Sequence, residues 1–234
     1  IKKVFILDKI GKNILKIKQD IKAAEKKFNR DCNSVVLMAV SKTQSVENIL
    51  KAYEAGQRDF GENYVQESIE KIVELKNLDI TWHFIGKIQS NKSKYIAENF
   101  DWIHSVDKIS TLKKINDLRK NVEEKLNVCV QVNIDSEDSK SGILVNEVED
   151  FIVKAGKFEK IKIRGLMAIP MYHPDYVSQY KTFAKIKNLF DSLIKKNFKL
   201  DTLSIGMSSD YNAAIEAGST IVRIGTSIFG ERKK

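Results

Sequence analysis

The chain has 234 residues, 42% hydrophobic and 30% charged, enough apolar side chain for a packed core and too much for a disordered chain. Its formal charge of +9 comes from lysines interleaved with acidic residues, as in Glu123-Glu124-Lys125, which predicts a solvated surface and speaks against a nucleic-acid partner. No apolar run approaches the roughly 20 residues of a membrane span, and the start Ile1-Lys2-Lys3-Val4-Phe5 is too short an apolar stretch for a signal peptide.

Asp8 to about Arg30 reads as a helix, with Ile10, Ile14, Ile17, Ile21, Ala24 and Phe28 on one face. The run from Val35 to Val40 is almost wholly apolar and rich in β-branched residues, as a strand covered on both faces requires. It ends in Ser41-Lys42-Thr43, so Lys42 is expected where the strand leaves the core. A stem held among apolar neighbours favours the neutral, nucleophilic amine; a solvated strand-end lysine is the alternative. Ser45 is placed to cap a helix carrying Val46, Ile49, Leu50 and Tyr53, and Gly56 to end it.

Alternation continues along the chain. Strands are expected at 59–63, 81–86, 102–106, 127–134, 162–169, 202–207 and 221–226. Helices are expected at 64–76, 90–99, 108–125, 147–155, 175–196 and 209–217, with little more than a turn after Thr226. Eight β segments in regular βα alternation predict parallel strands closed into a (β/α)8 TIM barrel. A doubly wound open sheet is the competing architecture, but no G-x-G-x-x-G follows the first strand. The whole of 1–234 is expected to be one barrel domain, with the N-terminal helix of 1–34 packed on it. Cys32 and Cys129 lack metal-ligand spacing, which predicts reduced thiols in a cytoplasmic protein and no metal site.

Barrels carry chemistry at the C-terminal ends of their strands. Those ends present Lys42, Asn63, Gly86, Ile169-Pro170, Met207-Ser208-Ser209-Asp210 and Gly225-Thr226. Ser208-Ser209-Asp210 and Gly225-Thr226 follow strands seven and eight, where barrels commonly bind phosphate. Helix capping by Ser209 and a tight turn at Gly225 would account for the same residues. Arg223, inside an apolar strand, needs either a carboxylate partner or a ligand. Lysine, arginine and an anion cradle together suit an aldehyde cofactor bearing a phosphate, and pyridoxal 5′-phosphate (PLP) fits: Lys42 at the aldehyde, Arg223 at the pyridine nitrogen, the last two loops at the phosphate.

Several motifs carry a family resemblance. They are Ala39-Val40-Ser41-Lys42-Thr43, Phe60-Gly61-Glu62-Asn63-Tyr64-Val65-Gln66-Glu67, Trp82-His83-Phe84-Ile85-Gly86, Lys140-Ser141-Gly142, Arg164-Gly165-Leu166-Met167, Gly206-Met207-Ser208-Ser209-Asp210 and the ending from Gly218 to Gly230. From about Val35 to Gly230 the chain resembles the pyridoxal phosphate homeostasis protein family. The resemblance implies a single fold-type III PLP barrel like the N-terminal domain of alanine racemase. It implies Lys42 as the Schiff-base lysine, Ser208, Gly225 and Thr226 at the phosphate, Arg223 at the pyridine nitrogen and Asn63 beside the ring. It also implies a carrier or regulator of vitamin B6 and amino-acid pools, touching PLP, amino acids and, transiently, PLP enzymes lacking their cofactor.

A PLP-dependent amino-acid racemase is the alternative. It requires a second base opposite the lysine. Alanine racemase draws that base from a further domain and a partner subunit, and this chain stops within a few residues of its eighth strand. Arginine at the pyridine nitrogen also leaves that nitrogen unprotonated and the electron sink weak. His83, His104, Tyr64 and Tyr172 are the residual second-base candidates, with ordinary structural roles the heavier reading for each. A closed barrel has no exposed sheet edge, and no apolar patch is evident beyond the helix ring, so a monomer is expected.

Overall fold

A computed structural model describes residues 8–135, 137 and 140–231. The expectations placed on residues 1–5 lie outside these. Among the described residues no helix is long and apolar enough to cross a membrane.

A helix, α1 (Lys9–Lys27), precedes the first strand, its start capped by the Asp8 carboxylate accepting from the Gly11 N–H at 2.8 Å. Eight units follow: β1 (Val36–Val40) and α2 (Val46–Glu54), β2 (Asp59–Glu62) and α3 (Val65–Glu74), β3 (Thr81–Phe84) and α4 (Ser93–Asn99), β4 (Trp102–Val106) and α5 (Ile109–Leu118). The second half holds β5 (Leu126–Gln131) and α6 (Val148–Ala155), β6 (Ile161–Met167) and α7 (Tyr176–Lys195), β7 (Thr202–Met207) and α8 (Tyr211–Glu216), β8 (Ile221–Ile224) and the short α9 (Thr226–Phe229). Every strand pairs in parallel with its sequence neighbour, and β1 pairs with β8 in the register Val36↔Ile221 to Ala39↔Ile224. The barrel is therefore closed, which excludes the open sheet. The apolar face of α1 is buried against α2, α8 and α9, and Asn13 Nδ2 donates to the Ile228 carbonyl at 2.8 Å, tying α1 to α9.

Three local expectations are corrected. The helix expected at 108–125 ends at Leu118. Arg119 turns inward to 2% exposure and donates to the carbonyls of Ala97 at 2.6 Å, Phe100 at 3.0 Å and Glu124 at 2.9 Å, drawing the chain off the helix axis. Ser209 is not a helix cap, because Asp210 occupies that position. The stretch after β6 and the start of α7 leave Ile169, Met171, Tyr172, Tyr176, Val177 and Tyr180 exposed, so apolar surface is present where none was expected.

Candidate cofactor site at the barrel mouth

β1 ends at Val40, and the next residues form a tight turn in which the Gln44 N–H donates to the Ser41 carbonyl at 3.0 Å. Lys42 and Thr43 are its central residues, and Thr43 has φ of 64°, a left-handed conformation that β-branched residues rarely adopt. The turn sets Lys42 at the rim of a cavity of about 520 Å³, within the range of small-molecule sites.

Lys42, Asn63, Ser208, Arg223, Gly225 and Thr226 all line this cavity. They come from the ends of β1, β2, β7 and β8, so closure of the barrel is what brings them together. Ser208 and Ser209 sit in a turn closed by Asp210: the Met207 N–H donates to Asp210 Oδ1 at 2.6 Å, and the Asp210 N–H donates to the Met207 carbonyl at 3.1 Å. Burial raises the Asp210 carboxyl above its usual range. At Gly225 an added Cβ would touch Val40 at 3.4 Å, so the loop after β8 runs close to the end of β1. The Gly225 carbonyl accepts from Ile228 and Phe229, and the Thr226 and Ser227 N–H groups stand at the start of α9, where a helix offers them no internal partner.

Arg223 is 4% exposed. Sequence reasoning left it either a carboxylate or a ligand, and the barrel adds a third arrangement. Nη1 donates to the Ser204 carbonyl at 2.5 Å and hydroxyl at 2.9 Å, and Nη2 to the Ala168 carbonyl at 3.0 Å. Burial lowers the guanidinium to about 10, so it stays charged at neutral pH. Asn63 Oδ1 is buried without a hydrogen-bond partner. Its backbone packs against Gly86, where an added Cβ would lie 2.1 Å from the Asn63 carbonyl oxygen, so only glycine fits there.

Four residual candidates stand away from the cavity lining. His83 is clasped between Asp59 Oδ1 at 3.1 Å and His104 at 3.0 Å, with Trp102 stacked on both rings. Tyr64 and Tyr172 are exposed. Met207 is among the strand-end residues expected here, but sequence reasoning did not find the rest of the apolar wall, Ile85, Met167 and Phe229, because an apolar residue in or beside a strand reads as ordinary core. Beyond Asn63, Ile85 and Ile169 a second, more polar cavity of about 660 Å³ opens over the third to fifth strands, lined in part by Lys87, Ser90 and Lys108.

The fold is that of the parallel (β/α)8 barrels, a class in which the loops after strands seven and eight frequently form a phosphate site. Residues 10–233 match the family described as the N-terminal domain of alanine racemase. A pyridoxal phosphate homeostasis protein of Escherichia coli K12 is 43% identical over 229 residues, covering 97% of this chain and 98% of its own. One of Vibrio alginolyticus is 46% identical over 230 residues, covering 97% and 99%. The structure of PipY of Synechococcus elongatus PCC7942 with PLP bound superposes with a TM-score of 0.82 at 33% identity, covering 94% of this chain and all of that one. The chain belongs to the pyridoxal phosphate homeostasis protein family, within the wider alanine racemase N-terminal domain family.

Proposed function

We propose that this protein binds pyridoxal 5′-phosphate at the barrel mouth and serves vitamin B6 and amino-acid homeostasis as a carrier or regulator. The observation that carries the reading is the convergence on one cavity of the Lys42 amine, the Ser208 and Thr226 hydroxyls and the buried Arg223 cation from the ends of three strands, β1, β7 and β8. The donor set fits PLP, and the partnerless Asn63 Oδ1 offers an acceptor to a ring substituent. When bound, PLP supplies an aldehyde open to a lysine amine and an electron-withdrawing ring. In this assignment Lys42 is the covalent hold. The Ser208 and Thr226 hydroxyls and the N–H groups following Gly225 take the phosphate, Arg223 faces the pyridine nitrogen, and Asn63 flanks the ring.

Two features favour holding over turnover. Arg223 remains protonated at neutral pH and so gives the ring nitrogen a hydrogen bond without yielding a proton. The ionisable side chains among the described lining residues are Lys42 and Arg223, whereas a racemase uses a second proton carrier facing the lysine. Amino acids and cofactor-free PLP enzymes are the proposed recipients. A monomer in the cytoplasm is the proposed setting, supported by the closed barrel and two unpaired thiols.

The test is a PLP titration read by visible absorbance, then borohydride reduction and peptide mapping. A pyridoxyl adduct on the Lys42 peptide, lost in Lys42→Ala, is expected. Adducts scattered over surface lysines would sink the assignment. Loss of optical activity in L-alanine, abolished by Lys42→Ala, would instead establish the racemase.

A further inference from the structure

Behind the Lys42 turn lies a cluster of charged side chains that the binding site does not use. Glu62, at the end of β2, is fully buried, and Lys71 on α3 is 4% exposed. Glu67 stands four residues before Lys71, which puts both on one face of α3. Lys71 Nζ donates to Glu62 Oε1 at 2.9 Å, to Glu67 Oε1 at 2.5 Å and to the Ser41 carbonyl at 2.9 Å, which accounts for all three ammonium protons. The Ser41 hydroxyl donates to Glu62 Oε1 at 2.6 Å, and the Thr43 N–H donates to Glu67 Oε1 at 2.6 Å.

These contacts fall on Ser41 and Thr43, the two chain neighbours of Lys42. A left-handed β-branched residue persists only where its surroundings over-determine it, and Thr43 is such a residue, with its side chain exposed. Burying Glu62 and Lys71 is costly unless the two charges are paired and hydrogen-bonded, and the bonds that pair them also tie the part-exposed Glu67 and the Ser41–Thr43 turn into one frame. We propose that Glu62, Glu67 and Lys71 are positioning residues for Lys42: they clamp the peptide on both sides of it, keep Thr43 left-handed, and so fix the direction in which the Lys42 amine enters the cavity.

The consequence for PLP rests on Lys42 being the anchor, but the clamp can be measured without cofactor. Glu67 is the residue to change, because its side chain is 30% exposed and its loss leaves the Glu62–Lys71 pair intact. In cofactor-free protein, amide exchange at Thr43 is expected to be slow in wild type and in Glu67→Gln, which keeps the acceptor, and at least about tenfold faster in Glu67→Ala.

With PLP, Glu67→Ala is expected to bind about tenfold more weakly and to spread the reduced pyridoxyl label beyond Lys42. Adding Thr43→Asn, which accepts a left-handed φ with little strain, should restore most of that loss. Unchanged Thr43 exchange in Glu67→Ala overturns the clamp. So does a lowered thermal midpoint with unchanged affinity and labelling, or failure of the asparagine to rescue. If wild type takes no PLP at Lys42, the binding assignment fails while the exchange data still decide the clamp.

Discussion

Arg223 and His104 both lie inside the barrel with positive or potentially positive side chains, and they meet the cost of burial differently. The guanidinium keeps its charge because three oxygens surround it. The imidazole gives its charge up: burial, neighbouring His83 and the Arg223 charge hold His104 well below its usual value. Its Nδ1 is buried without a partner, while its Nε2 meets His83. Unfolded chain takes up a proton near the ordinary histidine value of about 6.5, and folded chain only at lower pH. The neutral His104 therefore contributes its full stability above about pH 6.5, and that contribution is lost as pH falls from there toward the native pKa. Glu62, Asp101 and Asp210, raised by burial, act in the opposite sense at acidic pH, so the informative comparison is with His104→Gln. Between about pH 7.5 and 5.5 the urea midpoint of wild type should fall more than that of the variant. Parallel curves would mean that another group controls the dependence.

At the scale of the element, apolar periodicity was legible wherever one element occupied the whole window. The α1 stripe of Ile10, Ile14, Ile17, Ile21 and Ala24 is buried as its spacing predicts. The overrun of α5 has a physical cause: Leu126 keeps the helical period by coincidence but is apolar because it opens β5, whereas Val122 lies in the connecting loop. Arg119 ends the helix through the nearby Glu124 carbonyl and through the carbonyls of Ala97 and Phe100, 22 and 19 positions away, which no window around residue 119 contains. Replacing it by methionine removes these bonds and leaves the Ala97 and Phe100 carbonyls without their charged donor. Arg119→Met is expected to lower unfolding stability by about 2–4 kcal/mol, read from chemical denaturation. A loss below about 0.5 kcal/mol, the range of ordinary surface changes, would show that the helix ends there for another reason.

For the molecule as a whole, closure decides the site. Pairing of β1 with β8 sets Val40 against Gly225, so residues nearly two hundred positions apart share one cavity. It also removes the sheet edges through which chains pair. A monomer of 26.7 kDa is expected in sedimentation equilibrium. Twice that mass would overturn this and direct attention to the exposed apolar residues between Ile169 and Tyr180.

The sequence by itself determined the number and order of the strands, the leading helix and, among the described residues, the seven α-helices between strands, though not the short α9, because that pattern depends on local alternation of apolar and polar side chains. It also placed Lys42, Asn63, Ser208, Gly225 and Thr226 at the mouth, because strand ends follow from strand positions once a barrel is inferred. Tertiary structure alone decided how Arg223 is satisfied, that His83 faces His104, and that Glu62, Glu67 and Lys71 grip the turn around Lys42. Those contacts join separate strands and the α3 helix across the barrel wall, and their distances follow from closure and strand register, which no local stretch of sequence encodes.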